Sequence, residues 1–120
     1  MSLRAYQQTR QVTETHRDTE YRLFAQITRK LMAVMEKPRH DPEVIDAVHR
    51  NRRLWSVLMN DCSDEGNKLP EETRAGIISI AIWVDSYSSE VMRDGKSIDP
   101  LVDVNRTVME GLAAAPAQPA

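Results

Sequence analysis

The sequence predicts an all-α fold, a compact single-domain bundle of four to five helices with no strands. Its 120 residues include only 4 glycines and 6 prolines, whereas a β-sandwich or barrel needs a turn about every 8–12 residues. Apolar residues recur instead at three- and four-residue steps, the period of an amphipathic helix. With 41% hydrophobic and 28% charged residues, the chain has the composition of a soluble globular protein.

Two helices are predicted before Pro38. A short helix over residues 3–12 has Tyr6 and Val12 as its apolar residues, too few to hold it firmly on a core. A longer helix over residues 17–36 carries an apolar stripe at helical spacing. Pro38 ends this second helix, because a proline interrupts helical hydrogen bonding.

The third and fourth helices each begin at a proline. Asp41 caps the third helix and Pro42 takes its first position, and an apolar line then runs as far as Cys62. The polar, glycine-containing run over residues 61–68 is predicted to be a loop. Pro70 opens the fourth helix, which is apolar nearly all round, so we expect its middle to be enclosed on most sides.

The end of the chain predicts one more helix and a tail. Gly95 is a typical stop for the fourth helix, and Asp99 and Pro100 open the fifth. We assign residues 1–112 to one helical domain. The alanine and proline tail over residues 113–120 is predicted to be disordered.

No segment of the sequence predicts a membrane-spanning helix or a signal peptide. The most apolar stretch, residues 75–84, is ten residues long, about half of the roughly 20 residues that span a bilayer. The first thirty residues contain no apolar run like a signal-peptide core. We therefore expect a cytoplasmic protein that has no membrane partner.

Residues suited to catalysis or metal binding are scattered. The 3 histidines and the single cysteine form no zinc motif, and the glycines lie too far apart to form a phosphate-binding loop. Asp46 and His49 resemble half of a di-iron motif, but Asp46 also stands four residues before Arg50, the spacing of a helical ion pair. Cys62 falls on the apolar line and is expected in the core. We predict no enzymatic activity, catalytic residue, metal, cofactor or small-molecule substrate.

One basic segment allows a second hypothesis. Residues 29–53 contain seven basic and four acidic side chains, so this segment carries +3 and the rest of the chain −5. Arg50, Arg52 and Arg53 could form a helix face that contacts RNA phosphates. We favour an ion-paired or solvated face, because few aromatic residues are available to stack on bases.

The two tryptophans also have two interpretations. Trp55 and Trp83 both lie on apolar stripes, where they would anchor the core of crossing helices. On an open groove they would instead be hot spots for an incoming helix. Their spacing does not separate these alternatives.

The order of short motifs along the chain resembles the FlaF family. The motifs are Ala5-Tyr-Gln-Gln-Thr, Glu20-Tyr-Arg-Leu-Phe, Asn51-Arg-Arg-Leu-Trp, Asp61, Asn67-x-Leu-Pro, Ile77-Ile-Ser-Ile-x-x-Trp-Val-Asp and Asn105-Arg-Thr-Val-Met-Glu-Gly-Leu. Their ordered combination is specific although no single motif is, and it covers residues 6–112.

The resemblance implies a flagellar biosynthesis regulator of the kind found in alphaproteobacteria, and no active site. It implies a positive post-transcriptional role in flagellin synthesis and a secretion chaperone that binds flagellin, alongside the partner regulator FlbT. The alternatives are an RNA-binding regulator that acts on flagellin messenger RNA through Arg50–Arg53, and an adaptor that acts only through FlbT.

A flagellin subunit hides its apolar helices only when it is polymerised, so we expect an exposed apolar strip on the bundle to cover them. We expect the first and last helices to flank this strip, because the first helix is too weakly apolar to be held firmly on the core. The residues assigned to this strip are Tyr6, Val12, Leu101, Val108 and Leu112.

Overall fold

The computed structural model describes residues 20–114, and the side chains of residues 20–111. Four helices account for most of this range: α1 over residues 20–33, α2 over Pro42–Ser63, α3 over Glu71–Asp94 and α4 over Asp99–Ala114. No strand occurs within it, so the all-α prediction is confirmed for the described part of the chain. The helix predicted over residues 3–12 lies outside that part.

The start of α2 and the end of α3 lie where the sequence predicts them. The Asp41 side chain accepts a hydrogen bond from the backbone N–H of Glu43 at 2.9 Å, and Pro42 follows as the first residue of α2. Gly95 ends α3 in the left-handed region, with φ of 71°, and donates its N–H to the Val91 carbonyl. These local signals therefore set the helix boundaries on both sides of the α2–α3 hairpin.

Three boundaries differ from the prediction by two or three residues. The α1 helix ends at residue 33 rather than 36, and the chain continues in a tighter turn in which Lys37 bonds back to Val34, because the residue before Pro38 disfavours helical geometry. The α2 helix continues to Ser63, so the first part of the predicted loop is helical. The α4 helix reaches Ala114, two residues into the predicted tail, since alanine is the strongest helix former. Residues 115–120 lie outside the described part.

The hydrophobic core is centred on α2. The Phe24 ring of α1 meets the Trp55 ring of α2 edge to face, with 5.7 Å between ring centroids. Trp55 is therefore a core anchor, as one of its two interpretations predicted. The larger fully buried apolar side chains come from all four helices: Phe24 is joined by Leu31, Val44, Val48, Trp55, Val84, Val91 and Leu101.

A buried polar network joins α1, α2 and α4. The Asn105 side chain accepts a hydrogen bond from Trp55 Nε1 at 2.9 Å and donates to Asn51 Oδ1 at 2.7 Å and to Thr28 Oγ1 at 3.2 Å. Asn51 and Asn105 are both fully buried. Because a shift of any of these helices by one residue would leave buried polar groups without partners, the network fixes their register.

The middle of α3 is not enclosed on most sides, and that prediction is wrong. Ile82 is 59% exposed and Trp83 38% exposed. The buried side chains of α3 form one narrow stripe: Ala81, Val84, Ser88 and Val91. Beside this stripe, Ile77, Ile80, Tyr87 and Met92 are partly buried against the core, whereas Ile82 and Trp83 lie on the exposed side of α3.

Hydrogen bonds from two arginines connect α3 with the end and the middle of α2. Arg74 donates from Nε to the Cys62 carbonyl at 2.8 Å and from Nη2 to the Asp64 carbonyl at 3.3 Å, which satisfies acceptors at the C-terminal end of α2. Arg52 donates to Asp85 Oδ1 from Nη2 at 2.8 Å. Polar contacts thus reinforce the apolar packing between the two longest helices.

We expect Asn105→Ala to destabilise the protein strongly. The substitution leaves Trp55 Nε1 and Asn51 Oδ1 buried without these partners, at a cost of about 3 kcal/mol in the free energy of unfolding. Urea denaturation measures this change. The control is Asn60→Ala on the exposed face of α2, for which the change should stay within about 0.5 kcal/mol. An equal effect of both substitutions would contradict the importance of the network.

Two glycine substitutions should change the free energy of unfolding in opposite directions. Gly95 has φ of 71° and a Cβ there would lie 2.6 Å from Arg39 Nη1, so Gly95→Ala should lower the free energy of unfolding by about 1 kcal/mol. Gly76 lies inside α3 with no atom near its missing Cβ, so Gly76→Ala should raise it by about 0.5–1 kcal/mol. Thermal and urea unfolding of both variants check this, and the same sign for both would refute it.

Candidate functional site

A groove of about 490 Å³ lies between α1 and α2. The two helices run antiparallel, because Lys30 and Val34 near the end of α1 lie beside Pro42 and Ala47 at the start of α2. Residues Leu23, Gln26, Ile27 and Lys30 of α1, and Asp46, His49, Arg50, Arg53, Leu54 and Val57 of α2, line it. Its volume lies within the range of roughly 300–1,000 Å³ that is typical of ligand-binding sites.

Four aliphatic residues form what we call the groove floor: Leu23, Ile27, Leu54 and Val57. Ile27 and Leu54 are buried against the core, whereas Leu23 is 42% exposed and Val57 52% exposed. The spacing of four residues on α1 and three on α2 places each pair on one side of its helix. The floor is therefore an apolar surface that the described helices leave uncovered.

Basic side chains stand on both walls of the groove. The lining residues include Lys30, Arg50 and Arg53 but only one carboxylate, Asp46, so their net charge is +2 with His49 neutral. Arg50 Nε contacts Asp46 Oδ2 at 2.9 Å, which confirms the ion pair predicted from their spacing. Among the described residues, Lys30 and Arg53 have no ion-pair partner.

A smaller depression of about 350 Å³ adjoins the groove along the same helix seam. It shares Lys30 and Asp46 with the groove and is also lined by Val34, Pro42, Glu43 and Ala47. From Pro42 to Val57 the seam follows α2 for about 22 Å, at a rise of 1.5 Å per residue. This length matches several turns of an incoming helix.

The three arginines of the RNA hypothesis do not share one face. Arg50 and Arg53 line the groove, whereas Arg52 points toward α3 and pairs with Asp85. The alternative of a single face for all three arginines is therefore wrong, because successive helical positions diverge by about 100°, which turns Arg52 away from both Arg50 and Arg53. Two of the three guanidinium groups are already paired with carboxylates.

The residues assigned to a partner strip are not brought together in the described part of the chain. Leu101 is fully buried in the core, so its side chain is not open to a partner in this structure. Val108 is partly buried and packs against the same core. Tyr6, Val12 and the Leu112 side chain lie outside the described residues, and a binding role for them stays a prediction.

Sequence reasoning missed the groove floor, although a signal was present. Leu23 precedes the core residue Phe24, and Val57 follows the core residue Leu54 by three positions. Each is an aliphatic residue displaced to one side of the main apolar line of its helix. A displaced pair on two neighbouring helices indicates an apolar surface beside the core rather than a wider core.

A second exposed apolar surface lies on α3. The Trp83 and Tyr87 rings stack with 5.0 Å between centroids, and Ile82 lies beside Trp83 in the sequence. The Tyr87 hydroxyl donates to the Ser97 carbonyl at 2.7 Å, and burial raises the pKa of this phenol. Trp83 is thus not a core anchor; its exposure agrees with the alternative of a binding surface.

The described residues give no support for metal or covalent chemistry. They contain no group of three or more His, Cys, Asp or Glu side chains placed to hold a metal ion. Cys62 is buried, and its burial raises the pKa of the thiol, which the charge of Arg74 only partly offsets. None of the helices in this range has the length and hydropathy of a membrane span.

Comparison with known proteins gives one match. The family model described as flagellar protein FlaF matches residues 2–112, so the match includes every helix of the described part except the last two residues of α4. No curated protein and no solved structure matches the chain.

We expect Cys62 to react slowly in the folded protein. A raised thiol pKa leaves little thiolate near pH 8, and only the thiolate is nucleophilic. Alkylation by iodoacetamide should be at least about tenfold slower in the native protein than in the denatured chain. The rate should also rise with pH above the usual range for a free thiol. Equal native and denatured rates would show that the thiol is accessible and ionised.

Proposed function

This chain belongs to the FlaF family of flagellar proteins, and from that premise we propose that it is a flagellin-binding secretion chaperone and a positive post-transcriptional regulator of flagellin synthesis. In this proposal the protein is not an enzyme. It works in the cytoplasm by covering apolar helices of flagellin until the subunit is exported.

The groove between α1 and α2 is the observation that carries the proposal. A helical bundle whose groove floor includes the half-exposed side chains of Leu23 and Val57 presents the geometry of helix-in-groove recognition. An unpolymerised flagellin subunit exposes apolar helices of the complementary kind. Covering these two side chains would contribute about 1 kcal/mol each, which suits a reversible complex rather than a permanent one.

A second protein partner fits the same molecule. The α3 surface around Trp83 and Ile82 is exposed and separate from the residues that line the groove. The family resemblance names FlbT as a further partner, and two separate apolar surfaces allow two proteins to bind at once. An adaptor that acts only through FlbT would use the α3 surface and leave the groove without a role.

The RNA alternative has less support from the geometry. Arg50 and Arg52 each contact a carboxylate within 3 Å, so binding RNA through them would require breaking ion pairs. Among the described residues that line the groove, no Phe, Tyr or Trp side chain is present to stack on a base. The apolar floor has no role in contacts to phosphates.

Calorimetry with monomeric flagellin tests the proposal. The titration is made at about 0.1 M and at about 1 M salt, because the Debye length falls from about 10 Å to about 3 Å between these concentrations. We expect saturable binding that persists at the higher salt. The double variant Leu23→Ser/Val57→Ser should weaken it by about ten- to thirtyfold. Ile82→Ser, which removes an exposed aliphatic residue from α3, is the control and should leave the affinity unchanged.

Two results would contradict the proposal. Absence of flagellin binding by the folded wild-type protein would reject the chaperone role. Binding of flagellin messenger RNA that is lost at high salt, and that depends on Arg50, Arg52 and Arg53 but not on Leu23 or Val57, would establish the RNA alternative instead.

A further inference from the structure

We infer that the groove between α1 and α2 selects an amphipathic helix whose polar flanks are acidic. The apolar face of that helix covers Leu23 and Val57, and its carboxylates meet Lys30 on one wall and Arg53 on the other. The inference rests on the proposed function in that the groove is the partner site, but it concerns the chemistry of the partner and not its identity.

The position of the two cations is the first argument. Lys30 belongs to α1 and Arg53 to α2, and both line the groove, so a positive charge stands on each wall beside the apolar floor. A helix that lies in the groove presents its flanks to both walls at once. Acidic residues on those flanks would form ion contacts on either side of the buried apolar face.

The availability of these cations is the second argument. Neither Lys30 nor Arg53 forms an ion pair with a described residue, whereas Arg50 is held by Asp46 at 2.9 Å. An incoming carboxylate therefore gains a contact with Lys30 or Arg53 without first breaking one. The Asp46–Arg50 pair can remain as it is and adds no net charge to the groove.

The charge of the whole chain is the third argument. The groove lining carries +2, with His49 neutral, while the chain as a whole carries −2, so the remainder carries −4. A basic helix would be attracted to the remainder and repelled at the groove. An acidic helix meets attraction only at the groove, which directs it there and opposes binding elsewhere.

The N-terminal segment of this chain does not have the negative charge that the groove favours in an occupant. Residues 1–19 contain three arginines and two acidic residues, a net charge of +1. The charge of the groove therefore favours a separate acidic protein over this basic segment.

Two synthetic peptides provide the probe. Both are about 18 residues long, or about five helical turns, with the same leucine face, and their flanks carry either glutamate or lysine. Fluorescence anisotropy with the full-length protein at about 0.1 M salt measures their affinities. We expect the glutamate peptide to bind at least about tenfold more tightly than the lysine peptide.

Charge reversal at the two cations should exchange this preference. Lys30→Glu/Arg53→Glu is compared with Arg29→Glu/Arg93→Glu, which reverses two exposed charges outside the groove lining and changes the net charge by the same amount. The groove variant should prefer the lysine peptide, and the control should keep the wild-type preference. Leu23→Ser/Val57→Ser should weaken both peptides. Circular dichroism and thermal unfolding confirm that each variant is folded.

Several outcomes would overturn the inference. One is equal affinity of the wild-type protein for both peptides, and another is the same change of preference in the control variant. A third is displacement of the glutamate peptide by an oligouridine whose binding does not need Leu23 or Val57. Self-association that sedimentation detects in wild-type protein but not in Leu23→Ser/Val57→Ser would assign the groove to a second copy. Flagellin that fails to bind while the peptides behave as expected would reject flagellin as the partner and leave the groove chemistry intact.

Discussion

The amide of Asn105 holds three helices at one buried point, and most of the architecture depends on it. Its oxygen takes the indole N–H of Trp55 and its nitrogen reaches Asn51 and Thr28, so α4 is joined to both α1 and α2. Apolar packing alone tolerates sliding of helices, whereas a directional network inside a core does not. Asn51, Trp55 and Asn105 also belong to the motifs through which the chain resembles FlaF proteins, which connects the family pattern to a physical role.

The distribution of exposed apolar residues follows from the central position of α2. In the described part of the chain, α1 packs along one side of α2 and α3 along another, so neither outer helix is surrounded. Each outer helix then keeps an apolar edge: Leu23 on α1, and Ile82 with Trp83 on α3. Proteins rarely expose joined apolar surface without a use for it, and the proposed binding of flagellin would give these edges one.

Local signals in the sequence are sufficient to predict where the helices lie. They are insufficient to predict which face of each helix is buried. Asp41, Pro42 and Gly95 act within one turn, so the boundaries they mark could be predicted without tertiary structure. Whether Trp55 or Trp83 is buried depends on how helices cross, and both lie on apolar stripes of the same kind. The direction of Arg52 toward Asp85, 33 residues away, likewise has no local signature. For this reason the alternative of a single arginine face is wrong, whereas the favoured ion-paired face and the pair of Asp46 and Arg50 on one helix are found.

The polar network adjoins the groove, and this position constrains the shape of the groove. Thr28 follows the floor residue Ile27, and Trp55 follows the floor residue Leu54, so hydrogen bonds in the core fix the separation of the two walls. The conformational entropy of placing those walls is lost when the chain folds and not when a partner arrives. Under the proposed function, a partner would meet a groove that is already formed and would bind with little change of its shape.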